Sequence, residues 1–155
     1  GLDNFFTLQA GTEDGLAKGM GVISDLGVVG IITDVNRQYA RGISILNRDC
    51  RISAAVKRNH FFGTLYWEGG DPTAAKLGDV PKHAALALGD TIVTSGYSAI
   101  FPEDINLGFI ESFSLLDGSN FYDIDVRLSL DLSNIYYVYV IRNLLRSKQL
   151  ELQTE

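Results

Sequence analysis

The chain has 155 residues, 46% of them hydrophobic and 21% charged, with a net charge of −6. That composition can build a core, as one ordinary domain or as two small ones sharing an interface. It argues against a nucleic-acid binder, which gains its affinity from Lys and Arg on phosphates, and against an anionic membrane surface for the same reason.

The elements read mainly as strands. In chain order the candidates are 5–9 (FFTLQ), 21–24 (GVIS), 28–35 (VVGIITDV), 42–46 (GISIL), 51–58 (RISAAVKR) and 62–68 (FGTLYWE). They continue with 74–80 (AAKLGDV), 90–95 (DTIVTS), 105–115 (INLGFIESFSL), 122–132 (YDIDVRLSLDL) and 135–142 (IYYVYVIR). The alternation is clearest in 122–132, where Tyr122, Ile124, Val126, Leu128, Leu130 and Leu132 share one face. Asp123, Asp125, Arg127, Ser129 and Asp131 take the other, the pattern of a half-buried antiparallel strand. The last candidate is apolar on both faces and reads as a strand between two layers. Gly, Asp and Asn separate most of the strands, and many short strands at this spacing indicate barrels or a sandwich. Helix is scarce: one short turn in 11–19 and a loosely helical tail at 143–153 that reads as a frayed terminus.

Two segments repeat. LAKGMGVI (16–23) aligns with LALGDTIV (86–93), and VVGII (28–32) with NLGFI (106–110), so that Gly19 matches Gly89 and Gly30 matches Gly108. Self-similarity of this kind indicates a duplicated barrel. The first pair of segments is joined by a tight hairpin and the second by TSGYSAIFPEDI, about eight residues longer. A lengthened loop on a rigid scaffold is a common seat of function.

Chemistry is sparse. Cys50 is the only cysteine, so no internal disulfide forms and multi-thiolate zinc sites are excluded. His83, Asp90 and Ser95 follow the chain order of a chymotrypsin-like triad, but they flank one short hairpin, and His60 lies in a polar turn. The carboxylates Asp123, Asp125 and Asp131 share their face with Arg127 and read as a solvated outer surface rather than a metal site. No phosphate-binding loop occurs, and no metal or cofactor is implied. What remains is exposed apolar surface suited to protein contacts: Tyr97, Ile100 and Phe101 in the long loop, Tyr66 and Trp67 before a turn, and Tyr137 and Tyr139 on the last strand. Ile100 and Phe101 admit a second reading, as a plug in a barrel end.

The ordered series LAKGMGVIS, GVVGII, ISILNRDCRISAAVKR, GTLYWEGGDP, LGDTIVTSGYSAIFPEDINLG and SNFYDIDVRLSLDLSNIYYVYVI resembles the rod shape-determining MreC family, from about Phe5 to Asn143. It departs from the family's usual loop at Asp104, where a Gly is common after Pro-Glu. The resemblance implies an all-β chain of two tandem six-stranded barrels, distantly chymotrypsin-like but without a triad, at 1–70 and 71–143, followed by a tail at 144–155. It implies a non-enzymatic, periplasmic or extracytoplasmic part of a single-pass inner-membrane protein whose N-terminal anchor precedes this segment. The abrupt opening at GLDNFFTL fits a fragment of that kind. Implied partners are a penicillin-binding transpeptidase, MreD, RodA, MreB and further copies of MreC. Two other readings accompany it: a degenerate serine-protease-like hydrolase using Ser95, and a glycan- or peptidoglycan-binding barrel using Tyr66 and Trp67.

Overall fold

The computed structural model describes residues 4–142. The tail beyond Arg142, expected as a frayed terminus, lies outside the described residues. Eleven strands form: β1 Phe5–Leu8, β2 Gly21–Ser24, β3 Gly27–Val35, β4 Ala40–Ser44, β5 Ile52–Val56 and β6 Phe62–Tyr66. They are followed by β7 Ala74–Gly78, β8 Thr91–Thr94, β9 Asn106–Ser114, β10 Asp123–Leu128 and β11 Tyr139–Ile141. Among the described residues helix is limited to two short 3-10 turns, Thr12–Asp14 and Leu132–Asn134. The chain is therefore all-β.

Six strands close into a barrel in the order β10-β7-β6-β5-β8-β9, and the other five form a sheet in the order β1-β4-β3-β2-β11. A barrel of six strands has no room for a lumen, so its interior must be filled with small and medium side chains. Ile52, Ala54, Val56, Leu65, Ala75, Leu77, Ile92, Leu107, Ile110, Ile124 and Val126 fill it, each at most 5% exposed. The alternation of β10 holds: Ile124, Val126 and Leu128 are buried, while the other face carries Asp123, Asp125 and Arg127.

Two expectations need correction. A first barrel at 1–70 would keep residues 52–66 with the N-terminal strands, but β5 and β6 complete the closed ring with β7, and β11 returns from beyond residue 130 to pair with β2. The sheets thus do not divide at residue 70. The last strand is not sandwiched between layers either: Tyr139 is 57% exposed, and among the described residues β2 is the one partner of β11. An all-apolar pattern belongs to a strand covered on both faces, whereas here the face that carries Tyr137 and Tyr139 is exposed.

The two aligned hairpins have matching geometry. Gly19 N–H donates to Ile32 O and Ile32 N–H to Met20 O; likewise Gly89 N–H donates to Ile110 O and Ile110 N–H to Asp90 O. The pairing slips at Val22/Ile23 in one and at Ile92/Val93 in the other. Gly30 and Gly108 occupy corresponding places, each so close to the next strand that a Cβ would lie 2.0 Å from a carbonyl oxygen, that of Ile43 or that of Arg127. Gly19 and Gly89 differ by 70 positions and Ile32 and Ile110 by 78, so the second hairpin carries eight more residues.

Candidate functional site

Those eight residues belong to the loop between β8 and β9, and Thr94 organises it. This residue is 1% exposed. Its Oγ1 donates to Pro102 O at 2.6 Å and accepts from Ile105 N–H at 2.9 Å, while its carbonyl accepts from Asp104 N–H at 3.0 Å. Ser95 N–H donates to Ser53 O, tying the loop to β5. Gly96, Ala99 and Asp104 take φ values of 76°, 62° and 70°. Two of these are non-glycine residues in the left-handed region, a strain that the surrounding bonds must hold.

The loop sends its apolar side chains two ways. Phe101 is 4% exposed, and its ring lies on the bare backbone of Gly21 in β2, where a Cβ would come within 2.3 Å of the ring. It thus bridges the closed barrel and the five-stranded sheet and presents nothing to a partner. Ile100 is half-buried against the core. Tyr97 points out, 82% exposed, with its ring 6.0 Å from that of Phe62, itself 57% exposed. The two aromatics wall a groove of about 390 Å³ whose floor and rim come from Ser53, Ala54, Gly63, Thr64, Asp79 and Ser95.

The other expected anchors divide. Trp67 is 3% exposed and its indole N–H donates to Asp71 O, so it is a core residue. A buried indole cannot stack on a sugar, which removes the ring on which a glycan platform at Tyr66 and Trp67 depends. Tyr66 is half-buried, with the Arg51 guanidinium 4.4 Å above its ring. Tyr137 (83% exposed), on the segment that leads into β11, and Tyr139, the first residue of that strand, stand free of the core, and Tyr136 joins them.

The residues in triad order do not assemble. His83 packs edge-on against Phe61 at 5.4 Å, Asp90 takes both its carboxylate oxygens to Arg58 at 2.9 Å, and Ser95 Oγ accepts from Tyr97 N–H. The hydrogen bonds from Arg58 hold the Asp90 carboxyl below the usual range. The acidic face is likewise committed. Lys76 bridges Asp123 and Asp125 at 3.0 and 2.8 Å, Arg127 clasps Glu111, and Asp131 caps the 3-10 turn at Ser133. Cys50 is buried, and burial pushes its thiol up to about 12. No helix among the described residues is long and apolar enough to cross a membrane.

Phe62 is the site residue that sequence reading misses. The available signal is the period of β6: Phe62, Thr64 and Tyr66 share the face opposite buried Leu65.

Comparison with known proteins places this geometry. The family model described as "Rod shape-determining protein MreC, barrel core" matches residues 1–142. Among curated relatives, the cell shape-determining protein MreC of Cereibacter sphaeroides is 27% identical over 136 residues, covering 88% of this chain and 43% of that protein. The chain thus spans less than half the length of that relative. Among solved structures, MreC of Pseudomonas aeruginosa has a TM-score of 0.83 at 21% identity, covering 91% of this chain and 90% of the other. A major periplasmic domain from the cell shape-determining filament MreC gives 0.76 at 19%, covering 90% and 86%. The complex between a penicillin-binding protein and MreC from Helicobacter pylori gives 0.66 at 18%, covering 81% and 79%. At these identities the structural matches show a shared fold, and the family model shows the family: this chain belongs to the rod shape-determining MreC family, as its barrel core.

Proposed function

We propose that this chain is the docking part of a non-enzymatic cell-shape scaffold. It binds a penicillin-binding transpeptidase on the outer side of the inner membrane, to which an N-terminal segment outside this sequence anchors it. MreD, RodA, MreB and further MreC copies are the remaining partners in this reading. The five-stranded sheet is taken as a second barrel of the same plan. Its order β1-β4-β3-β2-β11 follows the ring order β7-β10-β9-β8-β5, and the place of β6 is unfilled among the described residues.

The observation that carries the docking reading is the pair Tyr97 and Phe62, two exposed aromatics held on a rigid loop and a barrel strand beside a groove. Large exposed aromatics next to a concavity are the usual anchors of protein interfaces. The position beside the lengthened loop agrees with a scaffold whose chemistry is positional.

The test is a titration of the 155-residue chain with the cognate penicillin-binding transpeptidase by calorimetry. The double variant Tyr97→Ala, Phe62→Ala should weaken binding by about tenfold or more, the loss expected of hot-spot residues. Its melting temperature should stay near that of the parent, because both side chains are exposed. Unchanged affinity in the folded variant rejects this groove as the docking site.

A further inference from the structure

The connections of the closed barrel divide between two ends. β5, β7 and β9 run one way and β6, β8 and β10 the other, each antiparallel to its neighbours. One end collects the turns 67–73 and 95–105 and the exit at Ser129. There Phe101 lies on Gly21, Asn106 O on Gly27, and Ser129 bonds Leu26, so this end is joined to the five-stranded sheet. The other end collects 57–61, 79–90 and 115–122, and these three connections are tied together. Lys82 N–H donates to Asn120 O and Tyr122 N–H to Val80 O, with Pro81 bridged to Phe121. The Arg58 and Asn59 side chains both donate to Ala85 O at 2.8 Å, and His83 packs on Phe61. Val80 and Ala84 are buried beneath them, so the three connections form a cap over the barrel core.

The cap carries apolar side chains on its outer surface. Leu88, Leu115, Leu116 and Phe121 are 70%, 44%, 64% and 50% exposed. Elsewhere among the described residues, tyrosine dominates the exposed large hydrophobics, and Leu26 is the one leucine. The difference in residue type selects the occupant. Protein hot spots favour Trp, Tyr and Arg and under-use leucine, whereas Leu and Phe beside Lys compose membrane-surface elements. The groove at Tyr97 includes none of the four. They stand on connections rather than around a concavity, which suits a deformable layer better than a shaped protein partner.

The charge agrees. Over these three connections Lys57, Arg58 and Lys82 offset Asp79, Asp90 and Asp117, so the rest of the chain carries the whole net charge of −6. Asp90 is also taken by Arg58. The acidity that argues against an anionic surface is thus absent from this end. Beside an anionic bilayer the acidic remainder is repelled, and the molecule turns its neutral end inward.

We propose that this end of the closed barrel rests on the surface of a lipid bilayer. Leu88, Leu115, Leu116 and Phe121 enter the boundary between headgroups and acyl chains, and Lys57 and Lys82 meet headgroup phosphates. The contact is distinct from the N-terminal anchor and from transpeptidase docking in the reading above, and it sets how the barrel is oriented on the membrane.

Vesicles of phosphatidylethanolamine and phosphatidylglycerol test it. The 155-residue chain should co-sediment with them, and the double variant Leu115→Asp, Leu116→Asp should lower that retention about tenfold or more. Both side chains are exposed, so the variant should melt with the parent. Fluorescence gives a second readout, since Trp67 is the only tryptophan and is buried. The emission of Leu116→Trp should shift to the blue with vesicles and be quenched by brominated acyl chains. Leu26→Trp should show neither effect, and glycerol phosphate should leave Leu116→Trp unchanged. A chain that stays in the supernatant overturns the proposal, as does retention that survives the double variant. Equal shifts at Leu26→Trp and Leu116→Trp, or a shift with glycerol phosphate alone, overturn it too. The double variant should bind the transpeptidase with the parent's affinity. A loss there makes this end a protein contact and overturns the lipid reading, whereas failure of the Tyr97 groove as a docking site leaves it standing.

Discussion

At the scale of single residues, the long loop shows how one buried hydroxyl can position an exposed side chain. Thr94 satisfies both the Pro102 carbonyl and the Ile105 amide through one oxygen. Thr94→Val keeps the shape and removes both bonds, which should destabilise the fold by about 1–3 kcal/mol, the usual penalty for stranding buried polar groups. It should also weaken any partner held by Tyr97, although Thr94 itself is buried. Chemical denaturation and the transpeptidase titration read the two effects, and a variant as stable as the parent would show that solvent replaces the lost bonds. This is also where sequence reading was weakest. Tyr97, Ile100 and Phe101 are one apolar group in the sequence, yet Tyr97 is exposed and Phe101 buried. The direction of each is set by what stands opposite, and Gly21, the surface on which Phe101 lies, is 80 positions away. Trp67 failed as a surface anchor for the same reason: its place in the core depends on distant partners, not on the adjoining turn.

At the scale of elements, each of the eleven strand candidates overlaps a strand, though β4 begins two residues before its candidate, because the period of two and the turn residues between runs are local signals. Sheet membership is not local. β5 and β6 form a hairpin that could close either half, and the choice is made by β6 pairing with β7. The alternation of 122–132 also runs past its strand: β10 ends at Leu128, while Leu130 stays buried without a ladder partner, so the apolar period continues where the strand does not.

The same strand sets a pH dependence. Hydrogen bonds from Lys76, then Ser112, hold the Asp125 carboxyl below its ordinary value, and Arg58 does the same for Asp90. A carboxylate with a depressed folded pKa stabilises fully above its unfolded value, near 3.9, and loses that contribution as pH falls through the folded value. Lys76 is shifted upward by Asp125, so its contribution is retained until strongly alkaline pH. Stability should therefore be flat around neutrality and decline below about pH 4. Asp125→Asn should make that acid decline shallower while lowering stability slightly at pH 7. Thermal melts from pH 2.5 to 7 decide it, and an identical acid profile for the variant would place the sensitivity elsewhere.

At the scale of the whole molecule, one hydrophobic core runs through both halves. Joints between them include the Phe101 ring on Gly21, the Gly27 backbone packed against Asn106 O, and the Ser129 hydroxyl donating to Leu26 O at 2.7 Å. The first is apolar, and its two sides can be varied separately. Phe101→Ala leaves a void between the halves and should cost about 3–5 kcal/mol, the usual range for a buried phenyl ring. Gly21→Ala places a methyl where the ring lies, at 2.3 Å from one of its carbons, and the ring is wedged between two sheets with nowhere to turn, so overpacking should destabilise as well. The two changes should not add. Once the ring is gone, the new methyl occupies part of the space it leaves, so in the Phe101→Ala background Gly21→Ala should be neutral or mildly stabilising. The coupling energy of that double-mutant cycle measures how firmly the long loop ties the halves together. If the two penalties instead sum, the ring and the glycine do not share one contact, and the loop would have to hold its shape through Thr94 alone.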